Sequence, residues 1–97
     1  MAKISDLQPR QGKVDIKIQI VSVGQAYEFN KQGFSGKVAT AVAKDDSGQI
    51  DLTLWNNEIE TVKEGDTVHI INGYVNEFQG KIQLTAGRFG KLEVCSN

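Results

Sequence analysis

Alternation of apolar and polar side chains marks out most of this chain. In residues 48–55, Ile50, Leu52 and Leu54 alternate with Gln49, Asp51, Thr53 and Trp55. That period-two pattern belongs to a strand with one face buried and the other open, and it puts Trp55 on the open face. From Lys13 the same rhythm sets Val14, Ile16, Ile18 and Ile20 against Lys13, Asp15, Lys17 and Gln19. Val21 and Val23 then take the opposite parity, which predicts a bulge or sharp bend between Ile20 and Val21. Residues 37–44 read as a strand of small side chains, with Val38 and Val42 among Ala39, Ala41 and Ala43. Asp45-Asp46-Ser47-Gly48 is a turn signal that closes it against residues 48–55 as a hairpin.

The remaining segments read less simply. Residues 1–12 form a lead-in from which Ile4 and Leu7 can pack as a lid or short helical turn. Residues 25–36 read as a polar connection containing Gly33 and Gly36; its aromatics Tyr27, Phe29 and Phe34 either anchor a hairpin loop on the core or include one that faces a ligand. After Trp55, Asn56 is placed to cap a short helix with Glu58 and Glu60 in its first turn and Ile59 and Val62 on one face. Lys63-Glu64-Gly65-Asp66 turns the chain into a strand at 67–76, where Val68 and Ile70 alternate before Ile71, Gly73 and Val75 take the other parity. A tight connection at 77–80 leads to a last strand through Ile82, Leu84 and Ala86, interrupted at 87–90 and resumed at Leu92 and Val94.

Five strands, the first bent, with a helix between the third and fourth, predict an all-β chain: a five-stranded Greek-key OB-fold barrel over a single domain of residues 1–97. An SH3-like barrel also uses five short strands but does not usually place a helix there. In the predicted barrel the second and third strands and adjoining loops form the oligonucleotide or oligosaccharide face. Trp55 would lie on that face.

Composition bounds the chemistry. Ninety-seven residues suffice for one core without disulfide staples. No window approaches the roughly 18 apolar residues of a membrane span, and the first residues contain no signal-peptide core, so a cytoplasmic location is expected. Cys95 is the only cysteine, which excludes an internal disulfide and a multi-cysteine metal site. The net charge of −1 argues mildly against a generic phosphate binder. Its distribution is segregated, however: residues 1–44 carry +4, residues 45–66 carry −6 and residues 67–97 carry +1.

Catalysis finds little support. His69, the only histidine, sits within a strand with no nucleophile motif around it, and reads as a structural or surface residue. Asp45 and Asp46 before Ser-Gly read as a turn rather than a metal site. The glycines punctuate strands instead of opening a helix as a phosphate loop does, and no cofactor is expected. Binding has the better physical case, since single strands are held by aromatic platforms for bases and cations for phosphates. Trp55 ends the third strand, Tyr74 and Phe78 the fourth, and Phe89 interrupts the fifth. Lys81, Arg88 and Lys91 are interleaved with these aromatics.

The run from Val38 to Trp55, Lys-Glu-Gly-Asp at 63–66, Asn-Gly-Tyr-Val-Asn-Glu-Phe-Gln-Gly-Lys at 72–81 and Thr-Ala-Gly-Arg at 85–88 resemble an OB module of the archaeal replication protein A and simple single-stranded-DNA-binding protein family. The likeness extends to the Ile4-Ser5-Asp6-Leu7-Gln8-Pro9 opening. It implies base stacking on Trp55, Tyr74 and Phe78, and a basic role for Arg88. Where some relatives place a further aromatic, this chain has Thr85 and Ala86. The expectation is a non-catalytic module that binds single-stranded DNA with little sequence preference in replication, recombination or repair. Trp55 is its main platform, Tyr74, Phe78 and Phe89 further platforms, and Lys37, Lys81, Arg88 and Lys91 phosphate contacts. Other OB modules or replication and repair proteins are possible partners. The alternatives are an OB module for protein–protein interaction and binding of single-stranded RNA.

Overall fold

The computed structural model describes residues 2–87 and 90–95, the side chains of Lys31 and Phe34 excepted. A 3-10 turn, Ile4–Asp6, precedes strands β1 (Val14–Val23), β2 (Tyr27–Lys31), β3 (Phe34–Asp45) and β4 (Gly48–Trp55). Helix α1 (Asn57–Thr61) follows, then strands β5 (Thr67–Phe78), β6 (Lys81–Thr85) and β7 (Lys91–Cys95). All seven strands belong to one sheet in the order β1-β3-β4-β6-β5-β7, with β2 on β3 and β1 also paired to β5. The β1–β5 pairing returns the sheet on itself through β1, β3, β4, β6 and β5. These five strands are the predicted ones, and α1 falls between the third and fourth of them in chain order.

Parity in β4 and β1 is as expected. Ile50, Leu52 and Leu54 are buried from β4, and Val14, Ile16, Ile18 and Ile20 from β1. Full burial of each such side chain contributes about 1.5–3 kcal/mol. In β3 the alanines face inward and are registered against these large neighbours: Ala39 opposite Leu54, Ala41 opposite Leu52 and Ala43 opposite Ile50. Pairing small with large side chains lets the wall curve tightly without overpacking the core. The bend in β1 appears as a register shift against β3 between Ile20 and Ser22.

Several expectations are corrected. The segment read as a polar connection at 25–36 is an antiparallel hairpin, with Tyr27 opposite Val38 and Phe29 opposite Gly36. Tyr27 and Phe29 remain exposed, so neither anchors the hairpin on the core. Asn56 does not cap α1 with its side chain; its Oδ1 accepts from the backbone N–H of Lys37 at 3.0 Å, and its own N–H donates to Lys37 O at 2.9 Å. The last strand is two, because β6 pairs with β4 and β5 whereas β7 pairs with β5 alone.

The lead-in is tied down by the β3–β4 turn. Asp45 Oδ1 accepts from the N–H and Oγ of Ser47 and from the N–H of Gly48, while Oδ2 accepts from Ile4 N–H at 2.9 Å. Ile4 and Leu7 consequently sit in the core. Further on, Arg10 N–H donates to Val75 O and Val75 N–H to Gln11 O, laying residues 10–11 alongside β5.

Candidate nucleic-acid interface

The parity that turns Leu52 and Leu54 inward turns Thr53 and Trp55 outward. Thr53 is in register with Thr85 of β6, and Thr85 with Tyr74 of β5, so the three share one outer row. Tyr74 reaches this row because β5 slips. Val68 and Ile70 are buried, then Gly73 and Val75, with Asn72 at φ 57 between the two sets. Without the slip Tyr74 would share the inward parity of Ile70. Position 73 must lack a side chain: a Cβ there would lie 2.6 Å from Ile70 Cγ2 and 3.1 Å from Thr85 O. Beyond Tyr74, Asn76 and Phe78 follow on the same outer face at period two.

Trp55 is 40% exposed and held at three points. Its indole Nε1 donates to Thr85 Oγ1 at 3.2 Å, its backbone N–H donates to Glu58 Oε1 at 3.0 Å, and its ring meets Phe29 edge to face, with centroids 5.9 Å apart and planes at 87°. Tyr74 is 39% exposed and Phe78 63%. Between Trp55 and Tyr74 opens a groove of about 1010 Å³ whose lining includes Lys13, Glu58, Asn76 and Thr85. Burial pushes the Glu58 carboxyl up from its ordinary value, an effect the hydrogen bond from Trp55 N–H partly opposes.

The expected cations are distributed unevenly. Lys81 is the cross-strand partner of Phe78, joined to it by a two-residue turn in which Gln79 and Gly80 both have positive φ. This is the geometry of a type I′ hairpin. Lys37 is exposed on β3, beside Gly36 and hydrogen-bonded through its backbone to Asn56. Lys91 is exposed on β7 opposite Ile71, outside the groove lining. Arg88 and Phe89 lie outside the described residues. Lys13, Glu58 and Phe29 adjoin Trp55 or its groove without having been expected there. The expectation of an open strand face at Lys13 held the signal for the first; the others depend on neighbours distant in sequence or on the hairpin.

Among the described residues no group of three His, Cys, Asp or Glu side chains is placed to hold a metal ion. His69 Nε2 lies 2.5 Å from Asp15 Oδ1, a surface pair between β5 and β1. No helix among the described residues is long and apolar enough to cross a membrane.

A closed path of five strands, a helix between the third and fourth, and aromatics exposed across one face define an OB-fold protein. The solved second OB-fold domain of replication protein A from Methanococcus maripaludis matches it with a TM-score of 0.81 at 28% identity, covering 99% of this chain and 95% of that one. The chain belongs to the family described as single-stranded DNA binding protein Ssb-like, OB fold, whose model matches residues 7–94. It is 28% identical over 94 residues to the single-stranded DNA binding protein Ssb of Saccharolobus solfataricus, covering 97% of this chain and 64% of that protein. To Replication factor A of Methanothermobacter thermautotrophicus it is 27% identical over 93 residues, covering 95% of this chain and 12% of that protein. The chain thus spans less than two thirds of the length of either relative.

Proposed function

We propose that this chain, as one OB-fold domain over residues 1–97, binds single-stranded DNA without catalysing a reaction and with little sequence preference. On this reading it acts in the cytoplasm in replication, recombination or repair, beside other OB modules or proteins of those processes. The observation that carries the reading is the outer face on which Trp55 and Tyr74 flank a groove, with Thr85 between them. Exposing such large aromatics to water forgoes their burial energy, and stacked bases would recover it at roughly 1–3 kcal/mol each. Phe78 extends the face beyond the groove, and Lys81 beside it supplies a cation for the backbone. Lys37, Lys91 and Arg88 are the further phosphate contacts, and Phe89 a further platform.

The single tryptophan is a built-in probe. Oligo-dT is expected to quench Trp55 emission, with log affinity falling against log salt by about 0.7 per phosphate neutralised. Absence of quenching at low salt by either DNA or RNA, from protein shown to be folded, would overturn the reading. Equal affinity for oligo-dT and oligo-U would keep single-strand binding and remove the preference for DNA.

A further inference from the structure

We propose that β7 is a self-association edge, at which two copies of this chain join their sheets by antiparallel β7–β7 pairing about a two-fold axis at Leu92.

An unpaired edge supplies the first ground. Strand Lys91–Cys95 ends the strand order of the sheet, and among the described residues its backbone pairs with β5 alone. Its other edge presents N–H and C=O groups that can template a further strand. Proteins commonly blunt such edges with proline, with bulges or with charges that point inward. β7 has none of these. It contains no proline, its register with β5 runs unshifted from Thr67–Cys95 to Ile71–Lys91, and its core-side positions are Leu92 and Val94.

Burial supplies the second. Val94 is the cross-strand partner of Val68 and Leu92 that of Ile70, so both take the core-facing parity. Val68 and Ile70 are fully buried and Leu92 packs half-buried against the core, yet Val94 is 37% exposed. The inward face of the sheet is therefore left uncovered as it reaches this edge. A valine turned to the core side but open to water marks where further apolar surface is missing.

Charge selects the occupant. Lys91 and Glu93 alternate with these apolar residues on the outward face, both exposed and without an ion partner among the described residues. Two sheets continue one another only when directly opposite residues share a face, so an antiparallel pairing of β7 with its own copy must be centred on a residue. Centring on Lys91 or on Glu93 sets like charges opposite each other, which is unfavourable. Centring on Val94 or Cys95 leaves Lys91 beyond the end of the facing strand. Centring on Leu92 sets Lys91 of each copy opposite Glu93 of the other, with Leu92 against Leu92 and Val94 opposite Gly90 on the inward face. The outward row Lys17, His69, Glu93, which crosses β1, β5 and β7, is then continued by Lys91 of the second copy. This self-complementarity commits the edge to a second copy, in an isologous interface that closes at two. None of residues 91–95 lines the groove beside Trp55, so the pairing does not depend on what that groove binds.

Sedimentation of the full chain over a range of concentrations tests the pairing. Nucleic acid is left out, because Lys91 is also a proposed phosphate contact. The wild-type chain is expected to show a monomer–dimer equilibrium with no larger species, weak because five residues a side form a small interface. Glu93→Lys and Lys91→Glu each set like charges opposite one another and are expected to weaken dimerisation about tenfold or more. The double exchange Lys91→Glu/Glu93→Lys is expected to restore it, as is an equimolar mixture of the two single variants. Val94→Lys puts a charge on the inward side of the edge and is expected to be monomeric, which tests the edge independently of the ion pairs. Thermal unfolding checks the fold of each variant. A wild-type chain that is monomeric at every concentration, or a dimer that none of these variants weakens, would overturn the pairing. So would single variants that dissociate and a double exchange that fails to restore association, since charge would not then set the register. Single-strand binding, read from the Trp55 titration, stands or falls separately.

Discussion

The indole nitrogen of Trp55 donates to the hydroxyl oxygen of Thr85 at 3.2 Å, joining the end of β4 to the end of β6. The same oxygen accepts from the backbone N–H of Gly87 at 3.1 Å. Thr85 is only 6% exposed although it lies on the outer face, between Trp55 and Tyr74. An outer-face residue of β6 thus orients the aromatic side chain at the end of β4.

Replacing Thr85 by Val keeps the side chain's approximate volume and leaves both donors without their acceptor. The expected cost is about 1–3 kcal/mol of stability, measured by urea unfolding, together with weaker oligo-dT binding. Thr85→Ser retains the oxygen and is expected to recover most of both. A Val variant as stable and as tightly binding as wild type would show that the hydrogen bond orients nothing.

Adjacent residues of β4 make opposite predictions. Trp55→Ala is expected to weaken binding by about 1–3 kcal/mol without unfolding the domain. Leu54→Ala removes a fully buried side chain and is expected to cost about 2–5 kcal/mol of stability. Parallel denaturation and titration of the two variants check the division. Collapse of the fold on Trp55→Ala would mean that the outward face of β4 is part of the core.

That contrast between neighbours was legible in the sequence because alternation is a local signal, stamped on the chain by one-sided burial. The slip in β5 was legible for the same reason, since Ile71, Gly73 and Val75 change parity within a few residues. Strand β2 and its pairing with β3 were not, because Tyr27 and Phe29 are exposed and no buried set marks a period across residues 25–36. Asn56 was misread as a helix cap because its actual partner, Lys37, lies 19 residues earlier. The role of Thr85 depends on the parallel register of β4 and β6, which no nearby residue encodes. Local parity thus revealed which residues face outward, while long-range register decided which of them meet.

Acid should loosen the lead-in first. Burial raises the Asp45 carboxyl, but the hydrogen bonds from Ser47 Oγ and from the N–H groups of Ile4, Ser47 and Gly48 outweigh it and hold its pKa below the ordinary 3.8. A depressed folded pKa contributes stability that is fully present above the unfolded value and is lost as pH falls through the folded one. Asp45→Asn is therefore expected to be less stable than wild type at neutral pH, with the difference shrinking below about pH 3.8. Urea midpoints across an acid series measure this; a gap that stays constant with pH would exclude the carboxylate as its source.

Glu58 has the opposite sign and sits in the groove. Its folded pKa is raised above 4.5 by burial, so the ionised form is disfavoured in the folded state at neutral pH and that penalty is relieved as pH falls through the raised value. A strand of phosphates entering the groove adds negative charge and removes water near this carboxylate, which disfavours ionisation further. Binding by wild type is therefore expected to tighten as pH is lowered from neutral towards 4.5, while Glu58→Gln binds more tightly at neutral pH and loses this part of the dependence. The difference between the two pH profiles isolates the contribution of Glu58. Superimposable profiles would mean that bound DNA does not approach this carboxylate, and that the strand leaves the groove on the Tyr74 side rather than passing the start of α1.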